Sequence, residues 1–512
     1  MNGLSRTNRT FQARGTWLLR AMLAAYMWIG GALALTAATA LAQFPAPGIT
    51  PQPTGEAVPT NGPVPQPPAP AVAEIVPRIS AAEQSQVRQF LQQQAGGLLM
   101  SEGLMGRIVD RDQCDEGPIR DQILGADVFG TQTTKARAVF DFFPSRDQLQ
   151  WYVHLRGTSK NCTTSFTPQA VIRGAGEYRF QLTKQMTFQG DAIATRSPAA
   201  FLETRQRNLQ ANTPVDGIPL VGPLVSMAAF MEAENRRPLA EQIAAQRLTR
   251  EVAPRFNQEI DSQLVRLNQG LQLVRERWPQ QLGPAPTLVT MSTDHFGLFA
   301  LPASTTMGEA PAWQQLATAA GFSLVLHQTQ ATDLAAHLPL KGIQIQDTKL
   351  DELIETVSAV LGTVLNQPTP DQPPSTTPQV SLATLVLDST LPLSFEFVDG
   401  EAIIELRAAL RPTLGGEIPT QRIRFGIRSQ LREEDALLTT RLVGIQSLNP
   451  ETDSTAETLA RQILQQQIEA RLHPISLPRA VDLPEGMRTP ELTRLQTSQL
   501  TAENGWLVWQ VE

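Results

Sequence analysis

Few side chains in this sequence have the types and spacing that catalysis or metal binding requires. Five histidines occur, and no two of them have the spacing of a metal-binding motif such as HExxH. No GxSxG nucleophile elbow, P-loop or GxGxxG fingerprint is present. His327 and His337 flank an expected strand-to-helix loop, where a lone histidine is more often structural than catalytic. Two carboxylates distant in sequence stay open as a hydrolase pair, but no pattern favours one. We therefore predict no enzyme, no catalytic residue and no cofactor.

Two cysteines and a group of carboxylates form the other reactive set. In an oxidising compartment Cys114 and Cys162 are expected to form a disulfide, the alternative being two free thiols. Asp110, Asp112, Asp115 and Glu116 surround Cys114. The ligand spacing of a calcium-binding EF-hand fails because Cys114 occupies a ligand position. A solvated loop beside a disulfide is the favoured interpretation, so we predict no metal site.

The N-terminal 42 residues predict export. Arg6, Arg9, Arg14 and Arg20 precede an apolar run over 21–38, and Ala40-Leu41-Ala42 follows with small residues where signal peptidase cleaves. A retained membrane anchor is the alternative, because the run approaches the roughly 18–20 residues that span a bilayer. The expected location is therefore periplasmic or secreted, with an N-terminal anchor if cleavage fails.

Composition limits the partners and marks the linkers. The net charge of −7 argues against a general nucleic-acid binder, which needs a basic face. Residues 43–78 are rich in Pro, Ala, Gly, Thr and Gln and cannot bury enough apolar surface to fold, so we predict a disordered spacer. A second Pro-rich segment at 366–379 predicts an exposed loop.

The folded region begins with a helix and continues with strands. Ser80 and Glu83 have the spacing of a capping box at a helix start. Apolar residues then alternate with polar ones over 149–156 and 178–183, which is typical of antiparallel strands that cover a core on one side.

A long amphipathic helix follows, because apolar residues recur every three or four positions over 248–274. Pro238 suits its start and Pro279 its end, giving roughly 35–40 residues at most, and Pro254 is expected to kink or split it. The apolar stretch 218–231 contains two prolines, and we expect it to cover the sheet, with contact to lipid as the alternative.

Local signals in the second half are sharper. A helical stripe covers 350–364. Asp399-Gly400 predicts a two-residue hairpin that pairs Val398 with Glu401 and places Leu393, Phe395, Phe397, Ala402, Ile404 and Leu406 on one face. Ser394, Glu396, Glu401 and Glu405 then share the polar face. Ile423, Phe425 and Ile427 alternate with arginines, Ser454 and Glu457 predict a capping box, and Asn504-Gly505 predicts a final hairpin.

With these elements, residues 385–511 resemble the closing part of a bacterial tubular-lipid-binding (TULIP-like) domain. The carrying features are the Asp399-Gly400 hairpin, the strand with alternating Arg, the next helix, the Pro-rich turn at 473–478 and the Asn504-Gly505 strand. The whole chain resembles a family of large exported bacterial proteins of unknown function, which share the Gly130-Thr131-Gln132-Thr133 motif. The resemblance implies an α+β fold of two similar halves, with curved antiparallel sheets packed on long amphipathic helices.

The expected domains are a signal peptide at 1–42, the spacer at 43–78, a β block with the long helix at 79–282, and the TULIP-like module at 283–512. An apolar ligand such as lipid is expected between sheet and helix. The residues expected to face it are Phe395, Phe397, Ile404, Phe425, Ile427, Phe256 and Ile260. A structural or interaction protein of the cell envelope, with an envelope protein as partner, is the alternative function.

Overall fold

The computed structural model describes residues 79–512 except 220, 277–286, 304–308, 319, 337–339, 347–382, 413–416, 449–453, 471, 473 and 483–491. The predicted signal peptide, the spacer, the helical stripe at 350–364 and the Pro-rich loop at 366–379 lie outside the described residues. Nothing in the structure therefore tests the export prediction.

Helices and strands alternate irregularly along the described chain. The helices are α1 (Ala81–Gln94), α2 (Glu102–Val109), α3 (Val221–Glu276), α4 (Trp313–Leu316), α5 (Gln328–Ala336) and α6 (Thr455–Glu469). The strands before α3 are β1 (Gly96–Ser101), β2 (Arg111–Ile123), β3 (Ala126–Phe143), β4 (Leu149–Phe166), β5 (Val171–Phe188), β6 (Ile193–Thr195) and β7 (Ala199–Asn212). Those after it are β8 (Val289–Ser292), β9 (Phe296–Ala300), β10 (Phe322–His327), β11 (Gln344–Gln346), β12 (Ala383–Leu387), β13 (Leu393–Val398), β14 (Glu401–Pro412), β15 (Ile418–Leu431), β16 (Asp435–Ser447), β17 (Ile475–Pro478), β18 (Ala480–Asp482), β19 (Arg494–Glu503) and β20 (Trp506–Val511).

The strands form three antiparallel sheets. The long sheet has the order β2-β3-β4-β5-β6, with β7 also paired to β5. The C-terminal sheet has the order β11-β12-β14-β15-β16-β17, with β13 on β14, and the central sheet has the order β18-β19-β20-β10-β1-β9-β8. Strand β1 pairs with β9 and β10, so the central sheet joins the two predicted units at 79–282 and 283–512. The fold is α+β, as predicted: α3 packs on the long sheet and α6 on the C-terminal sheet.

Helix starts follow the predicted caps with one difference. At α6 the capping box is complete, because Glu457 N donates to Ser454 Oγ and Ser454 N donates to Glu457 Oε2. At α1 Ser80 Oγ accepts from Glu83 N (3.1 Å), but the Glu83 carboxylate accepts from His295 N (3.2 Å). A capping box needs the Glu83 carboxylate to accept from Ser80 N, but here this carboxylate accepts from the backbone of His295, which is distant in sequence.

Both predicted hairpins form, and the first has the predicted register. Val398 pairs with Glu401 and Phe395 with Ile404, and the backbone of Asp399 and Gly400 has the positive φ that a type I′ turn needs. Asn504 and Gly505 do the same between β19 and β20.

Glu401 lies on the predicted polar face, but it is not exposed there. Its side chain is buried against the guanidinium of Arg441, with oxygen–nitrogen distances of 3.0 and 2.6 Å, and Arg428 lies 3.3 Å away. A Cβ at Gly426 would stand 2.9 Å from Glu401 Oε2, so the glycine leaves the space that the carboxylate fills.

The long helix differs from the prediction in length and start. It is one helix of 56 residues that begins at Val221 and contains both Pro238 and Pro254, so neither a start at Pro238 nor a split at Pro254 occurs. A proline inside a helix costs about 3 kcal/mol. Contacts with the sheet on both sides of each proline offset that cost. The stretch 218–231 does not cover the sheet, since Leu224, Met227 and Met231 are mostly exposed.

The predicted disulfide is also wrong. Cys114 and Cys162 are free and exposed. Cys114 pairs with Lys135 on β3, whereas Cys162 pairs with Thr131, so the cysteines are two strands apart and offset along them. Strand spacing and rise place them roughly 16 Å apart, far beyond the roughly 7 Å between Cα atoms that a disulfide spans.

Candidate functional site

Helix α3 runs lengthwise along the long sheet, where it contacts β7, β5 and β6. Its first turns bond to the loop after β7, where Ser226 Oγ lies 3.2 Å from Thr213 Oγ1. Further along, Asn257 contacts Lys184 of β5, and Asn268 Oδ1 accepts from Ile193 N of β6 (2.8 Å). We call the end of the sheet with the turns at 124–125 and 167–170 the tip end. The opposite end, with Leu149 and Phe188, is the core end.

At the core end the sheet and the helix are in close apolar contact. Trp151 and Phe188 of the sheet and Phe256 and Ile260 of the helix are all buried. They belong to one continuous core that extends into the C-terminal sheet. Phe256 and Ile260, two of the residues expected to face a ligand, therefore pack inside this core.

One charged side chain interrupts the apolar face at the core end. Lys184 on β5 is 0% exposed, and its Nζ lies 2.8 Å from Asp261 Oδ1 and 2.5 Å from Asn257 Oδ1. Asn257 also donates to Asp261 Oδ2 (2.7 Å). A buried ammonium needs such partners because desolvation of a charge is costly, so this cluster fixes α3 on the sheet at one position.

Toward the tip end the inner face becomes polar. Strand register places Gln132 beside Asn161, and Thr134 beside Ser159, which lies beside Tyr178. Thr134 Oγ1 donates to Ser159 Oγ (2.9 Å), and Asn161 Nδ2 donates to the Tyr178 hydroxyl (3.2 Å). We call these five residues the polar belt. Burial raises the pKa of Tyr178, so its hydroxyl stays a neutral donor and acceptor.

Glycines make the belt possible at two positions. A Cβ at Gly176 would lie 2.5 Å from Asn161 Oδ1, and a Cβ at Gly157 would lie 2.2 Å from the Phe180 ring. Both glycines sit opposite those residues in the β4–β5 pairing. The side chains of Asn161 and Phe180 therefore lie over Gly176 and Gly157, and any larger residue at these glycines would displace them.

A cavity of about 430 Å³ lies between the polar belt and the first half of α3. Apolar residues line both its ends, Ile119, Ile123 and Val128 toward the tip and Leu155, Phe180 and Val252 toward the core. On the helix side Ala233, Ala240 and Ala244 line it. Small helix residues opposite small sheet residues leave this space, whereas phenylalanine and isoleucine fill the equivalent space at the core end.

A polar seam joins the first half of α3 to the edge strand β7. Glu234 Oε1 accepts from Asn208 Nδ2 (2.9 Å), and Glu241 Oε1 accepts from Gln206 N (2.8 Å). Arg237 lies between the two carboxylates, 2.7 Å from Glu234 and 3.8 Å from Glu241. These partly exposed contacts hold the helix over the cavity with much less buried apolar surface than the core end has.

The other residues expected to face a ligand lie elsewhere. Ile404, Phe425 and Ile427 are buried in the core of the C-terminal sheet, and Phe397 packs with Ala331 and Ala502. Phe395 is partly buried against the same cores. None of the seven lines the cavity. Sequence reasoning missed the cavity residues because it followed apolar alternation, whereas these positions continue the same period of two with Ser, Thr, Asn and Gln.

A larger but shallow depression of about 700 Å³ lies on the outer face of the long sheet. Lys135, Arg137, Arg156 and Arg179 line it together with Asp112 and Glu203. Its walls are exposed and charged, so a ligand there would stay in contact with water. We therefore regard the less open cavity under α3 as the better candidate site.

The described residues offer little for metal chemistry or membrane crossing. Among them, no group of three His, Cys, Asp or Glu side chains could hold a metal ion. His327 bonds to Thr329 Oγ1 (2.9 Å) and packs on Trp506, and burial lowers its pKa; His337 lies outside the described residues. Within the same part of the chain, no helix combines the length and apolarity that a bilayer span requires.

The fold and the cavity define an α+β protein with an internal site between a sheet and a helix. No protein-family model and no curated protein sequence matches the chain. One solved structure that it is similar to is described as "Crystal structure of lipopolysaccharide binding protein". The identity is 9%, the match covers 82% of this chain and 98% of the other, and the TM-score is 0.28. A TM-score this low carries no argument, so the tubular-lipid-binding resemblance stays a prediction.

Proposed function

We propose that this protein is an exported, non-enzymatic protein of the cell envelope that binds a lipid-like amphiphile in the cavity under α3. The observation that carries the proposal is the cavity itself: about 430 Å³ left unfilled between a sheet and a helix. Its volume falls within the roughly 300–1,000 Å³ typical of small-molecule sites. Export rests on the N-terminal sequence alone.

The lining favours an amphiphile over a purely apolar ligand. Hydrocarbon would contact Ile123 and Val128 at one end and Phe180 at the other. Between these ends the polar belt presents hydroxyl and amide groups, which would lose hydrogen bonds to water if only hydrocarbon covered them. An ester, amide or hydroxyl group of the ligand satisfies them. On the helix side of the cavity, Arg236 is paired with Glu232, and Arg237 with Glu234 and Glu241, so a neutral polar group fits this wall better than a strong anion.

Native mass spectrometry and solvent extraction of the purified protein test the proposal. Ser159 lies in the middle of the belt and points into the cavity, whereas Thr158 is its neighbour on the opposite face of β4. We expect the wild-type protein and Thr158→Phe to carry an extractable amphiphile, and Ser159→Phe to lose it because the ring fills the cavity.

A folded Ser159→Phe variant that keeps its ligand would contradict this assignment of the site. Absence of any extractable amphiphile from several wild-type preparations would contradict the function itself. Circular dichroism of both variants separates loss of ligand from loss of fold.

A further inference from the structure

Exposed apolar side chains are concentrated at the tip end. More than half of the large apolar residues that the structure shows as exposed lie there, on the strand ends and turns of the long sheet and on the start of α3. They are Leu124, Phe129, Phe166, Leu209, Ile218, Val221, Leu224, Val225 and Met227. We call this set the apolar tip. A concentration of exposed apolar side chains of this kind is typical of an interaction site.

Three separate parts of the chain are held together at the apolar tip. Phe129 and Phe166 come from β3 and β4, and their rings meet edge to face at 5.9 Å. The end of β7 pairs with the start of β5, where Asn212 lies opposite Val171. The loop that follows is tied to α3, because Gly222 N donates to Ile218 O (2.9 Å). The first turns of α3 therefore stand at the same end as the two strand turns.

The cavity reaches the apolar tip. Leu124 both lines the cavity and remains exposed in the β2–β3 turn, and Ile123 and Ala126 line the cavity beside it. A ligand with hydrocarbon chains that enters beside Leu124 meets the apolar end of the site directly, with Arg120 and Asp121 on the adjacent wall.

The charges near the apolar tip fit a lipid surface. Arg120 lies opposite Phe129 in the β2–β3 pairing, and Arg173 and Arg207 are exposed on β5 and β7. Asp127 is an exposed acid in the same region, and Asp216 is bonded to Thr213. Arg120 and Arg173 lie in the same cross-strand row as Phe129, and Leu124 lies beyond that row in the β2–β3 turn. Arginines beside exposed aromatic residues match the phosphate layer of a bilayer, with the apolar turn inserted beyond it.

We propose that the apolar tip docks on the surface of a lipid bilayer. This deepens the proposed function, on which it rests for the identity of the cargo, by naming the membrane as the source or destination of the ligand. A bilayer fits better than a second copy of the chain, because the exposed groups come from convex turns and a helix end and the cavity opens among them.

Flotation with phosphatidylcholine vesicles, with and without phosphatidylglycerol, tests docking. The test variant is Leu224→Glu with Met227→Glu, at positions that are 69% and 62% exposed on α3. Its matched control is Leu459→Glu with Ile463→Glu, at positions that are 58% and 47% exposed on α6. Both pairs replace exposed helical residues, so neither should unfold the protein, and comparison with wild type removes any contribution from the N-terminus.

We expect the α3 variant to lose about tenfold or more in vesicle partitioning, because two apolar anchors leave the bilayer, while the α6 variant behaves as wild type. Arg120→Gln with Arg173→Gln should remove the preference for phosphatidylglycerol. Equal flotation of both glutamate variants, or a tip-dependent dimer in sedimentation that does not float, overturns the proposal. If flotation depends on the tip but no ligand can be extracted, docking is supported and the proposed function is contradicted. If a ligand is retained but the protein does not float, the proposed function is supported and docking is contradicted.

Discussion

The core end and the tip end of the long sheet are built from the same strands and the same helix, yet only one is filled. At the core end Trp151, Phe188, Phe256 and Ile260 are buried in one apolar core. At the tip end the polar belt lies opposite the alanines of α3 together with Arg236 and Arg237, and a cavity of about 430 Å³ remains. Backbone pairing is continuous across both ends, so side-chain volume, and not the fold, decides which part of the interior is open. We expect the core end to provide most of the stability, and the cavity at the other end is the space that the proposed function assigns to a ligand.

The largest expected difference between the ends is the cost of truncating the helix. Phe256→Ala should lower the free energy of unfolding by about 3–5 kcal/mol, because it opens a void in a filled core. Val252→Ala, one turn earlier and beside the existing cavity, should cost less than about 1 kcal/mol. Urea denaturation of both variants measures this, and similar costs would show that the two ends are packed alike.

The buried Lys184 should be the second most sensitive point at the core end. Asp261→Ala leaves the ammonium buried with Asn257 alone and should cost about 3 kcal/mol, whereas Lys184→Met removes the charge and should be near neutral. Thermal or urea unfolding of each variant and of the double variant measures the coupling. If Lys184→Met lowers the free energy of unfolding as much as Asp261→Ala does, the ion pair is itself a main source of stability and does more than fix the position of α3.

Protonation should affect the core end through Glu102. Its carboxylate accepts from Phe142 N (3.3 Å) on β3, and burial raises its pKa to about 7 from 4.5. A raised folded-state pKa gives stability that is present below about 4.5 and is lost as the pH rises through about 7. The effect should be at most about 2 kcal/mol, because the group is partly solvated.

Unfolding measured across that pH window checks this for wild type and Glu102→Gln. The amide of the variant can still accept from Phe142 N but does not titrate there, so its stability should vary less with pH. An unchanged pH slope would mean that Glu102 is not the responsible group.

The smallest expected effect on global stability concerns the polar seam over the cavity. Glu234→Gln with Glu241→Gln should cost below about 1 kcal/mol, since both carboxylates are partly exposed. Amides in the first half of α3 should nevertheless exchange hydrogen faster than those around Phe256, and the variant should widen that difference. Glu232→Gln, which affects only the exposed pair with Arg236, is the matched control. Uniform exchange along α3 would remove the distinction between the ends.

Short-range features of this protein could be read from the sequence. The Asp399-Gly400 and Asn504-Gly505 hairpins and the Ser454 cap appear as predicted, because a turn or a cap depends on a few neighbouring residues. The alternation over 149–156 likewise predicted a one-sided strand, since burial on one face follows directly from the pleat. The α+β class follows from the sum of such local patterns.

Only the tertiary structure decided where the interior is filled. Glu83 was assigned to a local capping box and Glu401 to the polar face of a hairpin, but the groups that bind them, His295 N and the Arg441 guanidinium, are distant in sequence. Pro238 and Pro254 stay inside one helix because the sheet binds α3 on either side of them. The polar belt and the alanines of α3 are unremarkable in sequence and form a cavity only because strand register and helix position bring them face to face. Which side chains meet across layers depends on contacts between distant parts of the chain, and no local pattern encodes them.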